Sequence, residues 1–283
     1  MTRALALGIA QLTAGPDADA NRELSVSAAR ELFARGADLV VLPELIVPGY
    51  SADRAFLAHG AEPIDGPTTR AWQATAAAAG AYVCGGLCER VGDNLFNAAV
   101  LVGPEGIVLH YRKLHLFSAE KHVLAPGDLG LPVARTRFGV VGLCVCYDLR
   151  FVETARILAL EGAELLCVPT AWLPGFDTQR WDPEGYCPQA RGAQLQANLD
   201  QVFIACASQA GPSGGFDFLG SSVLCDPYGR TVLGPLPGSR SGLALTTIDL
   251  DQVTRAHDRG ALINPGADRR SDVYGLRIGE SVL

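Results

Sequence analysis

Three features of the chain predict an α/β fold, a mixed sandwich in which helices cover the faces of β-sheets. Short apolar runs alternate with stretches of helical period, the pattern of parallel strands joined by crossover helices. Between residues 81 and 113 three strand-like runs follow one another with no helix between them, which adds antiparallel pairs to the parallel ones. The chain has 283 residues, 48% of them apolar, enough to bury a large core, and one domain over 1–283 is the expected organisation.

The opening RALALGIAQLTAG has the basic flank and brief apolar run of a leader, but Gln11 interrupts it early and it reads better as a first buried strand. Asp19 to Gly36 is a helix, because Leu24, Ala28 and Leu32 recur every four residues and Gly36 supplies the stop. The strand ADLVVLPE follows and closes on Glu44. Thr68 to Gly80 is an alanine-rich helix, again stopped by glycine, and AYVCGGLCER, LFNAAVLVG and IVLHYRK are the three consecutive strands. A further strand runs from Gly139 to Cys146. Phe151, Val152, Ala155, Leu158 and Ala159 then mark a helix face, ELLCVPT a strand, Gln189 to Leu199 a helix and QVFIACAS a strand. The glycine-rich GPSGGF at 211–216 opens no helix and lacks Lys-Ser or Lys-Thr, so it reads as a plain connection and not a phosphate cradle. No sequence repeat, heptad or low-complexity tract is evident.

Charge narrows the function. With 23 basic and 30 acidic residues the net charge is −7, and no Lys/Arg cluster tracks a phosphate backbone, which argues against nucleic acid as a partner. No window approaches the roughly 18 apolar residues of a membrane span, so the expected address is the cytosol. The eight cysteines lie mostly inside apolar runs and read as reduced core residues. Neither Cys84/Cys88 nor Cys144/Cys146 is joined by a second pair at zinc spacing, so no structural metal is expected.

Three residues stand where chemistry is done. Cys146 ends an apolar strand just before Tyr147, Asp148 and Arg150, so its thiol is presented at a strand-to-helix turn, where unpaired N–H groups would favour thiolate. Cys144 shares its face but lies deeper. Glu44 follows a buried strand and a proline, an odd place for a solvated charge and a good one for a base of raised proton affinity, worth about 10² to 10⁴ in rate. Lys113 ends YRK on the face of Tyr111, opposite Arg112, and its ammonium can meet an oxyanion at roughly 3 kcal/mol per donor. His115 and His122 flank the same region without the spacing of a Cys-His pair.

PEL at 43–45, YRKLHLF at 111–117 and CYDLRF at 146–151 together resemble the motifs of the nitrilase superfamily of carbon-nitrogen hydrolases. The likeness continues through EKHVLAPG at 120–127, ARGAQLQAN at 190–198, GSSVLCDPYG at 220–229 and DRRSDVY near the C-terminus. It implies a Glu-Lys-Cys triad of Glu44, Lys113 and Cys146, with Glu120 as a second acidic group that positions substrate or lysine. It further implies a four-layer αββα sandwich with two mixed β-sheets, pairing as a homodimer or a higher even oligomer, with a C-terminal arm over about 255–283 contacting the partner subunit. The chain departs from the family pattern at Val152 and in the looser stretch from Gly192 to Asn198, which touches fine specificity more than reaction class.

On that resemblance the expected reaction is cleavage of a small carboxamide to acid and ammonia through a cysteine thioester, with no metal or organic cofactor. Tyr147-Asp148 after the cysteine is similar to the amidase branches, and the Tyr147 backbone N–H is a candidate oxyanion donor. Trp172, Phe176 and Trp181 follow the next strand and are candidates for an apolar acyl pocket, as is Tyr50 after the Glu44 turn. Arg150 stands alone, which favours a small neutral acyl group over the carboxylate of a ureido acid. A carbamoyl hydrolase and an acyltransferase using the same thioester are the alternatives; a nitrilase and a silent binding protein come behind them.

Overall fold

The computed structural model describes residues 3–278 and 281–282. Its first half runs β1 (Ala4–Gln11), α1 (Ala18–Ala34), β2 (Leu39–Val41), α2 (Arg54–Gly60), α3 (Pro67–Ala79), β3 (Tyr82–Val91), β4 (Asn94–Gly103), β5 (Gly106–Arg112) and the short α4 (Glu120–Val123). The second half runs β6 (Val133–Arg135), β7 (Val140–Leu143), a 3₁₀ turn over Cys146–Arg150, α5 (Val152–Leu160), β8 (Leu165–Thr170), α6 (Pro188–Asp200) and β9 (Phe203–Ser208). It continues with β10 (Ala210–Ser213), β11 (Phe216–Leu219), β12 (Val223–Cys225), β13 (Thr231–Leu233), β14 (Gly242–Asp249) and α7 (Asp251–His257), and ends with the short antiparallel pair β15 (Arg277–Ile278) and β16 (Ser281–Val282).

Two six-stranded sheets form the centre, ordered β14-β1-β2-β3-β4-β5 and β13-β12-β9-β8-β7-β6. Each has two adjacent parallel pairs, β1-β2-β3 in one and β7-β8-β9 in the other, flanked by antiparallel strands. Read from opposite ends, the two sheets have the same sequence of pairings. The sandwich is thus duplicated in topology, although no repeat is visible in the sequence. Burial demands only apolar residues at the right period, so two halves can share a path with few identical residues.

The period-2 alternation of β2 sorts its residues between layers. Leu39 and Val41 face the opposite sheet with Leu7, Ile9, Leu143 and Cys167, while Val40 faces outward onto the layer of α1 and α3, with Leu32 and Trp72. On the far side, Ala155 and Leu158 of α5 and Ala190, Ala193 and Ala197 of α6 cover the second sheet. The result is the expected four-layer αββα order. Cys84, Cys144 and Cys167 are fully buried free thiols in the inter-sheet layer, as their apolar settings predicted.

Four sequence expectations need adjustment. The β7 ladder stops at Leu143, three residues before the cysteine, and β2 stops at Val41, so Glu44 and Cys146 stand beyond their strands. GPSGGF is the turn of a two-stranded hairpin, β10-β11, whose Phe216 and Phe218 pack edge-on against Tyr50. Trp181 lies away from the acyl cavity, with Nε1 donating to the Leu219 carbonyl at 2.8 Å. The arm expected over 255–283 begins inside α7 and continues over the surface, with Leu262 93% exposed; residues 279, 280 and 283 lie outside the described residues.

Candidate active site

Glu44, Lys113 and Cys146 each follow a strand, β2, β5 and β7, and the sheets bring those ends to one rim. Glu44 is held at the ends of the opposite sheet's strands: its N–H donates to the Thr170 carbonyl at the end of β8 (3.2 Å), and its carbonyl accepts from Nε2 of Gln209, just after β9 (2.9 Å). Gly86 of β3 lets this turn approach, since a Cβ there would lie 2.7 Å from Glu44 Cα and 2.8 Å from the Pro43 carbonyl oxygen.

The ion cluster is dry. Lys113 Nζ donates to Glu44 Oε1 at 2.6 Å and to Glu120 Oε1 and Oε2 at 3.0 and 2.9 Å, and all three side chains are at most 1% exposed. Burial works against the ammonium, but Glu120 and Glu44 outweigh it and hold Lys113 protonated well above its ordinary range. Glu44 is pushed up, first by burial and then by Glu120, against the pull of Lys113. Glu120 is fixed in turn, because its Oε2 also accepts the Phe117 N–H at 2.8 Å.

Cys146 opens the 3₁₀ turn in the left-handed region, with φ of +48°, a conformation that costs a non-glycine residue about 1 kcal/mol or more. The kink breaks the strand alternation: Cys144 is buried between the sheets while Cys146 lines a cavity. The turn is only five residues long, and the thiol does not gain the thiolate bias that a helix N-terminus was expected to give. Burial and then the Glu44 charge push it well above its ordinary value, against Lys113 and the Ala171 backbone N–H. A resting thiol beside a carboxylate is the form that needs a base.

Asp148 locks this turn. Fully buried, its carboxylate accepts from the Val145 N–H (2.9 Å), the Tyr111 hydroxyl (2.7 Å) and the His115 N–H (3.0 Å), and His115 Nδ1 lies 2.8 Å away. His115 is thereby engaged with Asp148 and stacked on Phe151, which removes it as a partner for the cysteine.

The cavity beside Cys146 has a volume of about 50 Å³, space for a few water-sized groups, and is lined by Tyr50, Lys113, Tyr147, Trp172 and Phe176, all singled out from sequence. Phe117, Leu149, Arg150, Ala171, Leu173, Gln189 and Gly192 complete the lining. Sequence reasoning named none of these seven as pocket residues. Phe117 was visible only as part of a motif, and α6 carries no local sign that Gln189 and Gly192 face a site. Tyr147, Phe117 and Phe176 pack together with centroids 5.2–6.0 Å apart, so the wall is aromatic. Among the described residues no cluster of three or more His, Cys, Asp or Glu could hold a metal ion, and no helix is long and apolar enough to cross a membrane.

The family model for carbon-nitrogen hydrolases matches residues 6–258. The chain belongs to the nitrilase superfamily of carbon-nitrogen hydrolases. It is similar to a nitrilase of Pyrococcus abyssi, 34% identical over 260 residues that cover 90% of this chain and 93% of that one. It is also similar to an (R)-stereoselective amidase of Pseudomonas sp., 34% identical over 246 residues that cover 86% and 85%. Among solved structures, a double mutant of the amidase from Nesterenkonia sp. AN1, in complex with acrylamide, superposes with a TM-score of 0.75 at 25% identity over 96% of each chain. This nitrilase-superfamily member is a hydrolase of carbon-nitrogen bonds other than peptide bonds.

Proposed function

We propose that the protein hydrolyses a small carboxamide to the acid and ammonia, with Cys146 as nucleophile. Sγ bonds to the amide carbon as the carbonyl π pair moves to oxygen, and Glu44 takes the thiol proton. Lys113 and the Tyr147 backbone N–H hold the oxyanion. The carbon-nitrogen bond then breaks, Glu44 gives its proton to the departing nitrogen, and ammonia leaves a thioester. Water adds to that carbon while Glu44 takes its proton; the carbon-sulfur bond breaks, Sγ recovers a proton and the acid leaves.

The observation that carries this reading is that a buried cation and a thiol, Lys113 and Cys146, line one small cavity, with the buried carboxylates of Glu44 and Glu120 bonded to the cation behind it. The Nesterenkonia amidase supports it, since the acetamide moiety of fluoroacetamide adds to its active-site cysteine and a mutant binds butyramide. The test compares the protein with Cys146→Ala for ammonia released from acetamide, propionamide and butyramide. Equal release by parent and variant would remove Cys146 as nucleophile. Carbon dioxide from a ureido acid, or a hydroxamate formed with added hydroxylamine, would instead mark the carbamoylase and acyltransferase readings.

Arg150 favours a second reading of the acyl group. It lines the cavity, its guanidinium lies 4.8 Å above the Phe176 ring, and among the described residues it has no carboxylate partner. An acyl chain ending in a carboxylate would supply one. A preference for succinamate over butyramide that Arg150→Leu abolishes supports this; equal rates on both substrates reject it. We further propose that the exposed Leu262 and Val273 beyond α7 meet a second copy of the chain. A monomer in sedimentation equilibrium at micromolar concentration would reject that.

A further inference from the structure

Asn97 of β4 lies within the apolar run LFNAAVLVG and is 1% exposed. Its Nδ2 donates to Glu44 Oε1 at 2.7 Å, and that same oxygen accepts from Lys113 Nζ at 2.6 Å. Its backbone carbonyl accepts the Lys113 N–H at 2.8 Å. One residue therefore ties the side chain of one charged group and the backbone of the other. The amide orientation follows from chemistry, because the flipped form would set Oδ1 against a carboxylate.

Two orphan atoms mark the arrangement. With both donors on Oε1, Glu44 Oε2 is buried without a protein hydrogen-bond donor, and Asn97 Oδ1 is buried without a partner. A buried unsatisfied acceptor costs roughly 1–3 kcal/mol. A residue present only for packing would avoid it with an apolar side chain of similar size, so the cost is set against what the single Nδ2 donor does.

We infer that Asn97 is a positioning residue for the general base, pinning Oε1 of Glu44 so that Oε2 is the oxygen turned to the Cys146 proton. This rests on the reading of Glu44 as the base. Lys113 alone reaches Oε1 on a four-carbon stem and leaves the carboxylate free to rotate about its last bond. A second donor from a rigid strand, fixed by antiparallel pairing of β4 to both β3 and β5, removes that freedom. The same donor stabilises the ionised carboxylate that the reaction needs.

The test uses Cys146 as reporter: its alkylation by 2-chloroacetamide, followed by intact mass from pH 4 to 9, in the parent, Asn97→Ala, Asn97→Asp, Glu44→Gln and Glu44→Gln/Asn97→Ala. Loss of the donor moves the acid limb of the rate upward by about one pH unit in Asn97→Ala. The isosteric Asn97→Asp, which replaces a donor by a third carboxylate in the cluster, moves it further. Above the limb both variants also stay below the parent rate, because an unpinned carboxylate no longer keeps Oε2 on the thiol. In the Glu44→Gln background Asn97→Ala has no further effect. A uniform loss at every pH with the limb in place, or the same loss in both backgrounds, would make Asn97 a packing residue only and overturn the inference. Should Asn97→Ala not fold, Asn97→Asp carries the test alone. A limb that survives in Glu44→Gln would instead refute the base assignment, independently of Asn97.

Discussion

The Tyr111 hydroxyl donates to Asp148 Oδ2 across 2.7 Å, and this bond joins the strand that ends in Lys113 to the turn that carries Cys146. The two elements belong to different sheets, so their distance is not set by any ladder. Asp148 sets it, taking donors from Val145 on its own turn and from Tyr111 and His115 on the other side. Tyr111→Phe removes one donor from a buried carboxylate and should cost about 1.5–3 kcal/mol in urea unfolding. A loss below about 0.5 kcal/mol would show that the remaining donors suffice.

Glu120 and Asn97 push the proton affinity of Glu44 in opposite directions. The Glu120 charge raises it, so Glu120→Gln lowers it and should move the acid limb of kcat/KM to lower pH. The same change loosens the grip on Lys113, and kcat falls at every pH. An acid limb moving upward in Glu120→Gln would contradict the charge argument.

Gly86→Ala tests the close approach beneath Glu44. Its methyl would meet Glu44 Cα and the Pro43 carbonyl oxygen, both backbone atoms that cannot rotate away. The Glu44 turn must shift, and a displacement near 1 Å is expected to lower kcat by about 10²-fold while the protein remains folded. Unchanged kcat in the folded Gly86→Ala variant would show that the turn yields without moving the carboxylate.

Asp200, at the end of α6, is a buried carboxylate set against stability. Arg156 Nε lies 2.7 Å from its Oδ1, yet the approach misses the hydrogen-bond direction and neither oxygen has a true donor. Burial pushes its pKa up to about 6, against the attraction of Arg156. A folded value above the unfolded one means that ionisation is penalised in the folded state. The penalty is complete above about pH 6 and absent below the ordinary carboxylate range. Asp200→Asn should therefore stabilise the protein at pH 8, by roughly 2–3 kcal/mol, and have little effect near about pH 3.5. Equal effects at both pH values would show that the group is not titrating.

Much of the site was legible because its residues break local rules. A carboxylate after Pro43 and a lysine at the end of a strand contradict their apolar surroundings, and such conflicts mark functional positions. Asn97 breaks the same rule inside LFNAAVLVG, but one small polar residue does not disturb a strand pattern and so carries no local signal. Trp181 was expected in the pocket because it is aromatic and near Trp172 in sequence; its loop folds back onto β11 and away from the cavity. A helix directly after Cys146, as the sequence pattern predicts, would lower the proton affinity of its thiol. The chain instead turns through a short 3₁₀ segment, and burial dominates.

By itself the sequence determined the α/β class, the order of the main strands and helices as far as Ser208, and the residue types able to carry an acyl transfer, because period and composition are properties of neighbours along the chain. Only the tertiary structure decided that Asp148 locks the cysteine turn, that Asn97 shares Oε1 of Glu44 with Lys113, and that the two sheets repeat one topology. Those facts depend on contacts between segments 37 to 69 residues apart, and a hydrogen bond of 2.6 to 2.7 Å is set by how strands are ordered within a sheet and how the two sheets pack, not by what one strand contains.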